Sequence, residues 1–302
     1  MNATAPAVSV ELLTKSYGRS RGVVDLTFSV ERGEVFGYLG PNGAGKTTTI
    51  RTLLDFIRPT GGRASVLGLD TRRDAIEIHR HVGYLPGEFG LYERLTARDH
   101  LTYLASLRGE VDERSIRELA ARFDLDLDVR IASLSHGNKQ KVGLIQAFVH
   151  QPDLLILDEP TQGLDPLMQQ TFYRLVHEAR ERGATVFLSS HVMPEVEHVC
   201  DRVGIIRDGR LAAVEDIDAL KGKALKMVEA RLATPAPSGT FDRVPGVREA
   251  VVFGDRVRIT MAGPMDPLVK ALARFEVMDL ESREPSLEEI FLTFYGTTEG
   301  DG

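Results

Sequence analysis

The chain has 302 residues, enough for one large domain and a smaller one. Its 37 basic and 44 acidic residues give a net charge of -7 without a basic stripe, so nucleic acid is not expected as a partner. The single cysteine, Cys200, excludes an internal disulfide framework and a cysteine-built zinc site. No apolar run approaches the roughly 20 residues that span a bilayer, and residues 1–10 lack the features of a signal peptide.

Two strands are predicted first, at residues 8–13 and 23–30, with a polar turn at residues 14–18 that contains Tyr17. A third, short and apolar, covers residues 33–39. It leads into a glycine-rich loop, and a helical pattern follows at residues 49–57. Strand, loop and helix in this order are the context that a phosphate-binding loop requires.

The loop fits the pattern G-x-x-x-x-G-K-[ST] at every fixed position. In such a loop the backbone N–H groups form a nest for anions, and the helix that starts there adds its partial positive charge. Lys46 is then expected beside the terminal phosphates of a nucleotide, and the Thr47 hydroxyl can bind magnesium. The predicted binding residues are Gly40, Pro41, Asn42, Gly43, Ala44, Gly45, Lys46, Thr47 and Thr48.

The middle of the chain reads as a short strand at residues 64–67, a brief helix at 76–81 and a strand at 82–85. Helical patterns follow at residues 96–123 and 135–150. Further on, the pattern predicts a helix at 168–182, a strand at 185–188, a short helix at 195–200 and a hairpin at 203–214. Strands that alternate with helices indicate a three-layer α/β core.

A continuous apolar run at residues 154–157 predicts a strand buried on both faces of a parallel sheet. Asp158 and Glu159 follow it directly, and ligands of such sheets bind at the carboxyl ends of the strands. We therefore expect Asp158 to face a metal ion, directly or through water, and Glu159 to polarise a water molecule against the γ-phosphate.

The pattern changes after about Lys223. Strands at residues 227–232 and 277–281, a hairpin at 247–261 and helices at 266–275 and 286–295 indicate a small α+β unit, and Ser286 and Glu289 are spaced as a capping box. We expect two domains, residues 1–224 and 225–302.

Several motifs appear in the order found in the ATP-binding-cassette (ABC) ATPases, which the chain closely resembles over roughly residues 8–214. Residues 134–138, Leu-Ser-His-Gly-Asn, resemble the family signature, and residues 161–166 resemble the D-loop. His191 is similar to the switch histidine, and Tyr17 to the aromatic residue that stacks on adenine. A phosphate loop alone would also fit GTPases, kinases and helicases, whereas the full set of motifs in this order is specific to the ABC ATPases.

The resemblance implies a P-loop NTPase core with an antiparallel β subdomain, an inserted helical subdomain at about residues 88–150, and the small C-terminal domain as an addition. It implies ATP and magnesium, with Thr47 and Asp158 on the metal. Lys46, Glu159 and His191 are the implied catalytic residues. The residues implied to act on the nucleotide of a second copy are Ser135, His136, Gly137, Asn138 and Asp165.

The implied partners are a second ATPase subunit, in a homodimer, and a separate polytopic permease that holds the chain at the cytoplasmic side of the membrane. The loop at residues 83–92, the run at 139–143 and the segment at 286–291 are similar to those of bacterial drug and antibiotic exporters. Phe89, Leu91 and Tyr92 give that loop an apolar face suited either to a permease or to packing under the helices. The alternative function is a soluble regulatory ABC ATPase that acts on a non-membrane partner.

The chain departs from the family pattern at two places. Gly87 occupies the position where the family usually has a glutamine that binds magnesium, and Glu88 follows it one residue later. The signature carries His136 and Asn138 where glycine and glutamine are common.

Overall fold

A computed structural model describes residues 5–18, 20–88, 90–108, 112–223 and 225–283. The chain divides into two units between Glu215 and Asp216. The sequence predicts the start of the second domain at Leu225, whereas the structure groups the preceding helix with the second unit. The elements as far as the division are β1 (Val8–Tyr17), β2 (Ser20–Val30), β3 (Val35–Leu39), α1 (Lys46–Leu53), β4 (Gly61–Val66), β5 (Leu69–Asp70), α2 (Ala75–His81), β6 (Val82–Leu85), α3 (Ala97–Ser106), α4 (Glu113–Arg122), a 3-10 turn (Ile131–Ser133), α5 (His136–Phe148), β7 (Leu154–Asp158), α6 (Pro166–Glu181), β8 (Thr185–Ser190), α7 (Met193–Val199), β9 (Arg202–Arg207) and β10 (Arg210–Asp216).

Six of the described strands form the main sheet, in the order β10-β9-β3-β8-β7-β6. The pairs of β3 with β8 and β9, and of β7 with β6 and β8, are parallel. Strands β3, β7 and β8 are buried at every residue, which explains their continuous apolar sequences. The carboxyl ends of β3, β7 and β8 therefore lie side by side, and this edge carries the residues predicted to bind phosphate and metal.

A second, antiparallel sheet has the order β2-β1-β4-β5. The turn predicted at residues 14–18 is wrong, because β1 continues to Tyr17 and pairs with β2 as far as Ser20. Register shifts after Val10 and Leu13 explain the difference. Leu12 between them has a φ of 48°, so the strand bends while pairing continues through a polar stretch that reads as a turn.

Helices α3, α4 and α5 fall within the segment predicted as the helical subdomain, residues 88–150. The pattern at residues 96–123 predicted helix throughout, and the structure describes two helices there. Each helix begins at a side-chain cap: Thr96, Asp112 and Ser135 accept hydrogen bonds from backbone N–H groups of the first turn. None of the helices described is long and apolar enough to cross a membrane.

The second unit contains an antiparallel sheet that has buried apolar side chains on one face. The helix at Asp266–Leu272 adds Leu268 and Leu272 to this buried cluster. Its strands lie in the order β12 (Val247–Phe253), β13 (Arg256–Met261), β11 (Lys226–Leu232) and β14 (Val277–Arg283), and the predicted hairpin through Gly254 joins the first two strands of this order. The helix predicted at residues 286–295, with its capping box, lies outside the described residues. The two described helices of this unit are α8 (Ile217–Lys223) and α9 (Asp266–Leu272).

Candidate nucleotide-binding and catalytic site

The glycine-rich loop connects the end of β3 to the start of α1. Gly43 and Gly45 have φ values of 79° and 111°, which favour glycine, and a Cβ on Gly45 would lie 2.6 Å from a methyl group of Val23. Pro41, Asn42 and Gly43 are exposed, whereas Ala44 is buried. The loop thus forms the strand-loop-helix arrangement that the sequence predicts, with its tip open to solvent and the first turn of α1 behind it.

Lys46 opens α1 and turns its ammonium group toward the loop. The Nζ atom donates to the carbonyl oxygen of Gly40 at 2.5 Å and to that of Pro41 at 3.3 Å. It also forms an ion pair with Oε1 of Glu159 at 3.1 Å, although the lysine side chain is only 6% exposed. A buried cation held between the loop and a carboxylate is well placed to bind an anionic phosphate.

Thr47 and Asp158 lie in direct contact at the carboxyl end of β7. The Thr47 hydroxyl donates to Oδ2 of Asp158 at 2.8 Å, and the Ser189 hydroxyl donates to Oδ1. Asp158 is 1% exposed. A hydroxyl and a carboxylate are the hard oxygen donors that magnesium prefers, so the residues present fit this ion.

Glu159 extends beyond the strand with a φ of 51°, in the left-handed region, and its N–H donates to the Ser189 carbonyl at 3.1 Å. This backbone places the carboxylate between two partners: Lys46 on Oε1, and Nδ1 of His191 at 2.7 Å from Oε2. The imidazole of His191 is 42% exposed. The structure therefore brings the three predicted catalytic side chains together in one row.

The signature residues surround the start of α5. Ser135 is exposed and accepts from the Asn138 N–H at 3.3 Å, and His136 beside it is also exposed. A Cβ on Gly137 would lie 2.4 Å from the Gly163 carbonyl oxygen, so the signature packs closely against the predicted D-loop of the same chain. The signature thus presents an open helix N-terminus with a hydroxyl at its rim, an arrangement that suits an anion.

The predicted D-loop leads into α6, where Asp165 caps the helix. Its Oδ1 accepts from the N–H groups of Leu167 and Met168, each at 3.0 Å. Among the contacts of the described residues, no hydrogen bond or ion pair joins residues 135–138 or 165 to the loop at residues 40–48. Within one chain, the signature and the phosphate loop are thus separate groups of residues.

A family model described as ABC transporter matches residues 23–162. The chain is 41% identical over 224 residues to the bacitracin transport ATP-binding protein BcrA of Bacillus licheniformis, covering 73% of each protein. This chain belongs to the ABC transporter family of ATP-binding proteins. It therefore binds ATP and is an ATPase, as the sequence predicts.

Two further likenesses cover different extents of this ABC protein. The linearmycin resistance ATP-binding protein LnrL of Bacillus subtilis (strain 168) is 30% identical over 96% of this chain and 99% of its own length. A solved structure of the ATP-binding subunit of an ABC transporter is 33% identical, with a TM-score of 0.66, over 71% of this chain and 92% of that one. These likenesses confirm the predicted fold class, and the first extends through the C-terminal unit.

Gly87 lies against the carboxylate of Asp158. A Cβ at this position would be 3.2 Å from Oδ2 and 3.4 Å from Cγ of Asp158. Position 87 is thus beside the sheet edge predicted to bind metal in this ABC protein but provides no side chain there, while Glu88 is exposed. Mg²⁺ usually retains several waters, which are the natural substitute for a missing side-chain ligand.

Tyr17 stands at the end of β1 and is 47% exposed. The Nζ atom of Lys15 lies 5.2 Å from the centre of its ring. Lys15 pairs with Val23, the residue that borders Gly45 of the phosphate loop. The strand pair therefore presents an accessible ring in the neighbourhood of the loop, where a base could stack on it.

Gln140 was not identified from the sequence as a site residue. Its side chain is 2% exposed, and Nε2 donates to the carbonyl oxygens of Pro160 at 2.9 Å and Glu159 at 3.2 Å. Helix α5, which begins at the signature, is thereby fastened to the backbone that carries Glu159. In the sequence, Gln140 looks like any other polar residue of a helix. It could have been found only by predicting which face of α5 is buried.

Proposed function

We propose that this protein hydrolyses ATP as half of a homodimer, and that closure of the dimer on ATP drives export of a drug-like or lipid-like substrate through a separate permease. The observation that supports it best is the row formed by Lys46, Glu159 and His191, with Thr47 and Asp158 beside it. These are the parts that phosphoryl transfer to water requires.

In this proposal the loop N–H groups and Lys46 bind the phosphates and stabilise the charge that develops on the transferred group. Glu159 accepts a proton from the attacking water, the new oxygen–phosphorus bond forms at the γ-phosphate, and the bond to ADP breaks. His191 keeps the Glu159 carboxylate oriented through the contact of 2.7 Å. Thr47 and Asp158 would hold magnesium, which neutralises charge on the phosphates.

The dimer is supported by the position of the signature. Ser135 caps α5 at an exposed end, and Asp165 caps α6 in the adjoining loop. No bond of the described residues joins either of them to the phosphate loop of their own chain. We infer that Ser135, His136, Gly137 and Asn138 bind the γ-phosphate of ATP held by the second copy.

The permease is supported by exposed aromatic side chains near the start of α3. Tyr92 is 53% exposed, and its ring centre lies 5.6 Å from that of His100 and 5.7 Å from that of Tyr103. The exposed rings of Tyr92 and Tyr103 suit an apolar segment of a membrane protein better than water, whereas the ring of His100 is buried. Phe89, which the sequence places in the same loop, lies outside the described residues. The protein would then be peripheral at the cytoplasmic side of the membrane.

The test is co-purification from membranes. The full chain, tagged and expressed in its native cells, should be recovered from membranes together with a polytopic membrane protein, and the complex should show magnesium-dependent ATPase activity. Replacing Tyr92 and Tyr103 by serine should reduce recovery of the membrane protein without changing ATP binding. A chain that stays soluble in cells and binds no membrane protein would instead favour the regulatory ATPase.

A further inference from the structure

A buried carboxyl group lies behind the catalytic row. Glu195, in the first turn of α7, is 4% exposed. Burial raises the pKa of this carboxyl, and the charge of Glu159 acts in the same direction, while the hydroxyls of Ser190 and Thr161 act against it. A carboxyl group is costly to bury, so its position beside the site requires a compensating contact.

That contact is with Ser190, the last residue of β8. The Ser190 hydroxyl donates to Oε2 of Glu195 at 2.5 Å. The Oγ atom of Ser190 in turn accepts the N–H of Val192 at 2.9 Å. Ser190 and Val192 are the two neighbours of His191 in the chain. Because the hydroxyl has one proton, donating it to Glu195 leaves a lone pair facing the Val192 N–H.

The imidazole of His191 needs such support because little else fixes its direction. It is 42% exposed, and its described contact is the bond of 2.7 Å from Nδ1 to Glu159. A cavity of about 530 Å³ is lined by His191, Glu159 and Glu195, so the ring has space to turn away. The backbone on both sides of His191 therefore determines where the ring points.

We propose that Glu195 is a positioning residue for ATP hydrolysis, which orders the backbone from Ser190 to Val192 and thereby aims His191 at Glu159. The inference rests on the proposed function, in which Glu159 and His191 prepare the attacking water. Glu195 acts through His191 and not on the nucleotide, so it should affect turnover rather than ATP binding.

Two substitutions of Glu195 by residues of similar size distinguish the loss of its hydrogen bond to Ser190 from the loss of its packing. Glu195→Met keeps the length of the side chain but cannot accept from the Ser190 hydroxyl, and we expect a roughly three- to tenfold lower kcat with an unchanged KM for ATP. Glu195→Gln keeps an acceptor and should lose less than Glu195→Met. Ser190→Ala removes the same bond from the other side, so it tests the inference even if Glu195→Met fails to fold. Glu181→Ala, at an exposed position on α6, is the control for loss of a carboxylate.

The deciding measurement is a double-mutant cycle with His191→Ala, using single-turnover hydrolysis by the full chain. His191→Ala alone should lower the rate by roughly 100-fold or more, and Glu195→Met should have no further effect in that background. An equal loss with and without His191, or a change in KM with kcat intact, would overturn the positioning role. If His191→Ala keeps full activity, the proposed function of His191 fails as well. If His191→Ala is inactive while Glu195→Met and Ser190→Ala are fully active, only the inference on Glu195 fails.

Discussion

Replacing Glu159 by glutamine tests the centre of the proposed mechanism. In the wild type, Nδ1 of His191 lies 2.7 Å from Oε2 of Glu159. Glutamine keeps the size of the side chain and an oxygen that can make this contact. It loses the charge that faces Lys46 at 3.1 Å and the ability to accept a proton. Loss of a general base lowers a rate by roughly 10² to 10⁴, about 3–5.5 kcal/mol of activation free energy.

ATP binding should persist in Glu159→Gln, because in the proposed mechanism the loop N–H groups and Lys46, and not Glu159, provide the phosphate contacts. Phosphate release measured with magnesium and ATP should therefore be very slow, and gel filtration should show an ATP-bound dimer that accumulates. Turnover within threefold of the wild type would remove Glu159 from its role. The comparison variant is Lys46→Ala, which should weaken ATP binding itself; equal affinity in that variant would contradict the position assigned to Lys46.

Three further outcomes are expected. Tyr17→Ala should raise the Kd for ATP by roughly five- to 30-fold, since stacking on a base contributes about 1–2 kcal/mol, while Tyr17→Phe should bind normally in a fluorescent-nucleotide titration. Gln140→Met removes two hydrogen bonds to backbone oxygens and should lower the free energy of unfolding in urea by about 1–2 kcal/mol, a loss that an exposed polar residue would not cause. Burial lowers the pKa of His150 to about 4, from an ordinary 6.5, so the folded state binds fewer protons. The unfolded state therefore gains a proton first as the pH falls below 6.5, and the free energy of unfolding should decrease by at most about 3 kcal/mol between pH 6.5 and 4. In His150→Gln, the free energy of unfolding measured in urea should depend less on pH over that range.

Motifs whose residue types carry their own chemistry could be predicted from the sequence. A loop with glycines at 40 and 45 and Lys46 requires left-handed backbone and a helix start, and the structure has both. An apolar run that ends in two carboxylates predicts a buried parallel strand, and β7 is one. The end of β1 could not be predicted in this way, because the bend at Leu12 accompanies pairing on both sides of the strand, with the neighbouring β2 and with β4, which is distant in the chain.

Residues that act by holding another residue are less visible, because their importance lies in burial. Gln140 and Glu195 are ordinary polar letters in helical stretches, and nothing in the local sequence says that one is 2% and the other 4% exposed. Their partners, the carbonyl oxygen of Pro160 and the hydroxyl of Ser190, belong to segments after β7 and at the end of β8. Both partners flank a predicted catalytic residue, and a buried polar group is stable there only if it is hydrogen-bonded. Buried polar side chains that contact the neighbours of a catalytic residue are thus the ones suited to support it, and both Gln140 and Glu195 have this property.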